Sequence, residues 1–131
     1  MEGHVGPAEI VMALKDEIAE IERGFWTGGA DYFHTHLAET CMLAFPQMAG
    51  VYARDEVAAT AKDPLRWQEL AMVDRGFFQP TGDTAMICYE AQAVRGSGEP
   101  YRALVGTLYV RREDGWKMAF HSQAPLADGS G

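Results

Sequence analysis

A lone carboxylate, Glu90, interrupts the apolar run "AMICYEAQAV", where strand alternation puts it on one side with Met86, Cys88 and Gln92. Facing an apolar interior, it would have its pKa raised by desolvation, which suits a group that moves protons. The opposite parity turns Ala85, Ile87, Tyr89 and Ala91 inward and leaves Glu90 in water. Both parities stay open. Cys88 shares the side of Glu90, but no His or Asp motif accompanies it as a nucleophile's base would, so it reads as a structural thiol. In "DGWKMAFHSQAP" the position of His121 depends on the same alternation. If Lys117 points to solvent, then Trp116, Met118, Phe120 and Ser122 face inward and His121 faces out, unless a bulge reverses the parity. His34 and His36, two apart on a helix, point roughly 200° from each other and cannot grip one metal together. His4 lies near the terminus and carries no role. No metal site is expected, and no cofactor: the chain has no phosphate-cradling glycine loop, dinucleotide fingerprint, G-x-S-x-G or H-E-x-x-H.

The elements that must position these groups follow from spacing. "PAEIVMALKDEIAEIERGFWTGG" sets Ile10, Leu14, Ile18, Ile21 and Phe25 three and four apart, with Pro7 at the start and Gly28-Gly29 at the end, which predicts an amphipathic helix. A shorter helix is expected in "ADYFHTHLA", with Phe33 and Leu37 inward, then a strand "TCMLAFP" closed by Pro46. "ARDEVAATAKDP" reads as a third helix stopped by Pro64. Thereafter 67–79, 84–95, 99–112 and 115–124 are strand-like runs separated by "PTGD", "GSGE" and "EDG", whose Gly and Asp suit tight reversals. Helices first and an antiparallel meander after give an α+β domain with helices on one face of a curved sheet. One domain over 1–126 with a flexible tail, 127–131, is expected.

Bulk properties exclude several classes. The 131 residues, 47% hydrophobic, suffice for a real core, and the formal charge of -8 comes without a basic run that would neutralise phosphate or anionic lipid. No nucleic-acid or membrane partner is expected, and the absence of a long apolar segment predicts a cytoplasmic protein. Cys41 and Cys88 are too few and too distant for a disulfide framework or a CxxC motif.

The phrases "WTGGADYFHTHLAETCMLAFP", "GVYARDEVAA", "TGDTAMICYEAQA" and "YRALVGTLYVRREDGWKMAFH", with the turn Arg112-Glu113-Asp114-Gly115-Trp116-Lys117-Met118, resemble the nuclear transport factor 2-like superfamily, specifically small bacterial relatives of ketosteroid isomerase and SnoaL-type cyclases. That resemblance implies a cone-shaped α+β barrel in which a bent sheet wraps a long helix and leaves a pocket, with dimers through the sheet's outer face. In ketosteroid isomerases the base is an Asp before a Pro, and the oxyanion hole is a helix Tyr with a protonated strand Asp. Here those positions fall at Phe45, near Ile21 and near Thr107; a phenylalanine cannot accept a proton and an isoleucine offers no donor, so the isomerase residues are not matched. The resemblance leaves a pocket lined by Trp26, Phe33, Met42, Phe45, Met48, Trp67, Met72, Cys88, Thr107, Tyr109, Met118 and Phe120, suited to a small apolar or aromatic molecule. The alternatives are a cofactor-free isomerase, cyclase or hydrolase with Glu90 or a histidine as proton carrier, and a dimeric interaction module without catalysis.

Overall fold

The computed structural model of the chain describes residues 6–61 and 66–127. His4, Pro64 and residues 128–131 of the expected tail lie outside them. The first helix, α1 (Pro7–Thr27), starts as its sequence demands: Pro7 occupies the first turn and the Glu9 carboxylate accepts the Gly6 N–H at 3.0 Å. Its apolar stripe is buried only in the second half, at Ile18, Phe25 and Trp26, together with the charged Glu22. Ile10, expected inside, is 57% exposed, and its neighbours Val11 and Met12 in the first turns of α1 are exposed as well. The helix packs closely on α2 (Ala30–His36) because Gly24 and Gly28 carry no side chain. A Cβ at Gly24 would lie 2.1 Å from the Tyr32 ring, whose hydroxyl donates to the Ile21 carbonyl at 2.8 Å.

Strand β1 (Leu37–Phe45) turns at Pro46-Gln47 into β2 (Met48–Ala53), a hairpin not foreseen from sequence. Helix α3 (Arg54–Ala58) follows, capped by Glu56 accepting the Ala53 N–H at 2.9 Å, and is far shorter than "ARDEVAATAKDP" predicts. The four later runs appear as β3 (Trp67–Thr81), β4 (Thr84–Arg95), β5 (Pro100–Arg112) and β6 (Gly115–Pro125). Gly98 and Gly115 take φ of 95° and 119° in two of the turns, a conformation open to glycine at no steric cost.

The sheet order is β2-β1-β6-β5-β4-β3, antiparallel throughout except for the parallel pairing of β1 with β6. Bulges interrupt β3 and the β5–β6 ladder, bending the unclosed sheet around the helices. On the concave face, β4 presents Ala85, Ile87, Tyr89, Ala91 and Ala93, and β5 presents Ala103, Val105, Thr107 and Tyr109, all buried. The alanines leave room for α1 to settle against the sheet. Each large apolar side chain so enclosed contributes roughly 1.5–3 kcal/mol.

Candidate functional site

The concave side is not filled by the helices. A cavity of about 330 Å³ remains between the end of α1, α2, β1 and the near halves of β5 and β6. Its aromatic wall is ordered by edge-on contacts: Trp26 meets Trp67 with ring centroids 5.1 Å apart, and Phe25 meets Phe33 at 5.0 Å. Trp67 in turn lies 4.8 Å from the Tyr101 ring. Phe45 and Met48, on either side of the β1–β2 turn, close another side, and Met118 and His121 enter from β6.

His121 is inside, contrary to the expectation from alternation. Tyr109 pairs with Met118 and Leu108 with Phe120, so Ala119 is left over as a bulge. The extra residue puts Met118 and His121 on the same side. The anchor of the sequence argument also fails, since Lys117 is 9% exposed, donating to the Thr35 carbonyl and pairing with Asp114 at 3.1 Å.

Behind the cavity wall lies a buried polar chain centred on Glu22, which is 0% exposed. Its carboxylate accepts hydrogen bonds from the hydroxyls of Tyr109 at 2.5 Å, Tyr89 at 2.6 Å and Thr107 at 2.8 Å. Trp26 Nε1 donates to the Tyr89 hydroxyl at 2.8 Å. Since Thr107 spends its proton on Glu22, its oxygen accepts from His121 Nδ1 at 2.9 Å, which assigns the proton of the neutral ring to Nδ1. His121 Nε2 then accepts from the Gln123 amide at 3.0 Å, and Gln123 Oε1 accepts from the Tyr101 hydroxyl at 2.7 Å. Every link is a donor matched to an acceptor. Burial depresses the His121 pKa, against an upward pull from Glu22 3.5 Å away. Burial together with Glu22 raises the phenols of Tyr89 and Tyr109 well above their ordinary range.

No protein-family model matches the sequence, and no curated protein matches it at a significant level. Solved structures do match. A protein of unknown function from Shewanella oneidensis, described as nuclear transport factor 2-like, superposes with a TM-score of 0.67 at 19% identity over 84% of this chain and 98% of that one. A ketosteroid isomerase-like protein from Erwinia carotovora atroseptica gives 0.69 at 15% identity, covering 92% and 98%. The chain has the nuclear transport factor 2-like fold. A third structure, a putative calcium/calmodulin-dependent kinase II association domain from Exiguobacterium sibiricum, gives 0.66 at 18% identity over 98% and 99% of the two chains.

Within this nuclear transport factor 2-like cone, Trp26, Phe33, Phe45, Met48, Trp67 and Met118 border the cavity. Thr107 and Tyr109 lie one layer deeper, bound to Glu22. The other residues named from sequence fall elsewhere. Met42 is 48% exposed, because Cys41 and Leu43 on either side of it take the inner positions of β1. Phe120 pairs with Met42 and Leu108 on the outer face, displaced there by the Ala119 bulge. Cys88 is exposed on the outer side of β4, and Met72 packs at the edge of the core on β3 without reaching the cavity.

Glu90 likewise takes the outer face, since Tyr89 occupies the inner one. It is clamped there by Arg75 at 3.0 Å and Arg102 at 2.9 Å. Hydrogen bonds from Gln92 and from these arginines lower its pKa, the reverse of what a buried general base requires. Of the positions equivalent to the isomerase residues, Phe45 borders the cavity and Thr107 lies beneath it, whereas the inward helix residue is Glu22 and not its neighbour Ile21. Sequence reasoning missed Glu22, Tyr89, Tyr101 and Gln123 as members of the site. For Glu22 a signal existed: it lies four residues after Ile18 and four before Trp26, within the apolar stripe itself. Among the described residues, no group of three or more His, Cys, Asp or Glu could hold a metal ion.

Proposed function

We propose that the chain binds a small, largely apolar molecule in the cone. The observation that carries this reading is the aromatic-walled cavity of about 330 Å³, of the size of a small-ligand site and provided with convergent polar groups at His121 and Gln123. The test is calorimetric titration with 2-naphthylmethanol, a compact neutral aromatic. Saturable binding is expected, together with its loss in Val57→Trp, which would place an indole where Val57 now borders the cavity. Failure of the native protein to bind, or undiminished binding by a folded Val57→Trp variant, refutes the reading.

A second reading, cofactor-free acid–base catalysis, is favoured by the Glu22–Thr107–His121 chain. The proton carrier in this reading is His121 Nε2: once a ligand displaces the Gln123 amide, Nε2 is a free acceptor, and Glu22 would stabilise the imidazolium that forms. Exchange of the α-protons of 2-tetralone for deuterium, followed by NMR, tests it. Acceleration by the native protein that disappears in His121→Gln supports the catalytic reading; absence of acceleration ends it.

A homodimer through the outer face of the sheet belongs to the same proposal, supported by exposed Val51, Val73, Phe78 and Leu104. Sedimentation showing only monomer at micromolar concentration would remove it. Among the described residues no helix is long and apolar enough to cross a membrane, and the proposed setting is the cytoplasm.

A further inference from the structure

The charge of the cavity wall runs against the charge of the chain. With 19 acidic residues against 11 Lys and Arg, the protein is strongly anionic, yet among the described residues the cavity is bordered by two arginines, Arg66 and Arg95, and by no aspartate or glutamate. The arginines are brought together by the end of the β3–β4 ladder. Trp67 pairs with Arg95, and the Gly96 N–H donates to the Arg66 carbonyl at 3.0 Å; the Arg66 guanidinium itself lies over the Phe33 ring, 5.4 Å from its centroid.

Their roles differ. Arg66 braces the end of α1, donating to the carbonyls of Gly28 at 2.8 Å and Phe25 at 2.6 Å. That work is structural. The Arg95 guanidinium lies over the rings of Trp67, 5.0 Å from the centroid, and Tyr101, at 4.7 Å. Stacking orders the group without using its N–H donors, and no acidic side chain among the described residues pairs with it. A planar fork held by aromatic faces at the edge of an apolar cavity is the geometry that receives a carboxylate.

We infer that the ligand is a compact aromatic acid, with its ring body against Trp26, Trp67 and Phe33 and its carboxylate on the edge of Arg95. The inference rests on the small-molecule reading above and adds the sign of the ligand's charge.

The experiment compares 2-naphthoate with 2-naphthylmethanol, alike in ring body and unlike in charge, by calorimetric titration of the native protein and of Arg95→Gln, with circular dichroism to verify folding. Native protein is expected to prefer the acid by about tenfold or more, as one charge-assisted pair allows, and the preference should shrink as salt rises. In Arg95→Gln the preference is expected to fall to about twofold or less, with the affinity for the alcohol unchanged. Equal affinities in the native protein overturn the inference about charge while the small-molecule reading stands. A preference that survives in Arg95→Gln overturns it as well, and binding of neither compound overturns both.

Discussion

Replacing Glu22 by leucine tests whether the buried chain is held by its acceptor. Leucine nearly matches the volume of glutamate, so little void is created, but three hydroxyls lose the group they donate to. Among the described residues the Tyr109 hydroxyl has no other hydrogen-bond partner. Tyr89 keeps the bond it accepts from Trp26 while its own proton is stranded, and Thr107 can donate to His121 only if the imidazole changes tautomer. At about 1–3 kcal/mol for each stranded donor the loss is bracketed at roughly 3–9 kcal/mol. Relief of the carboxylate's own desolvation brings the expected value to the lower end, about 3 kcal/mol. With a urea dependence of about 2 kcal/mol per molar for a domain of this size, the unfolding midpoint should fall by about 1.5 M. Urea titration followed by tryptophan emission measures it. The double variant Glu22→Leu, Tyr109→Phe, which removes one stranded donor along with the acceptor and strands no other group, should regain about a third of the loss. A single variant whose midpoint moves by less than about 0.3 M, or a double variant no more stable than the single, would refute the reasoning.

Further outcomes follow from the same geometry. Because the folded pKa of His121 lies below its ordinary 6.5, the unfolded chain takes up the proton first. Stability should be greatest above that pH and decline as pH falls through it, less steeply in His121→Gln; His36, also depressed by burial, adds a slope both proteins share. Ultraviolet titration should show fewer than the 5 tyrosines ionising in the folded protein by about pH 11, since Tyr32 is pushed up to about 12 and burial beside Glu22 raises Tyr89 and Tyr109 well above the ordinary phenol value, whereas all ionise in urea. Gly24→Ala should destabilise by about 1–3 kcal/mol in thermal unfolding despite the better helix propensity of alanine, because its methyl would collide with the Tyr32 ring. Glu90→Gln should leave naphthoate affinity unchanged in calorimetry, its carboxylate being on the far side of the sheet.

The order of elements was legible because it is written in local signals. The three-and-four spacing of Leu14, Ile18, Ile21 and Phe25 and the glycines between the late strands each act within a few residues, and the matching phrases add up across the chain. Sidedness was less legible. A single extra residue, Ala119, moved His121 inward and Phe120 outward, and nothing in "MAFH" marks where a bulge will form. For Glu90, both parities of β4 offered an apolar side. Tertiary packing decided between them, since Tyr89 had Glu22 and Trp26 waiting within. Glu22 was overlooked because an acid on an amphipathic helix is ordinarily solvated; only the hydroxyls from β4 and β5, distant in sequence, make its burial tolerable. The β2 strand, "MAGVYA", is short and contains glycine, so its pairing with β1 came from the turn at Pro46-Gln47 and not from strand propensity.

The parallel seam between β1 and β6 joins Leu37 to Met118 and Leu43 to His121, residues from opposite ends of the molecule. During synthesis the early helices and the β1–β2 hairpin must therefore wait, with one edge unsatisfied, until the ribosome has released the last of the six strands. The β6 wall of the cavity and a complete hydrogen-bonded sheet arrive together, so a chain cut before Trp116 would lose the imidazole and the strand that shields the edge of β1 in one stroke.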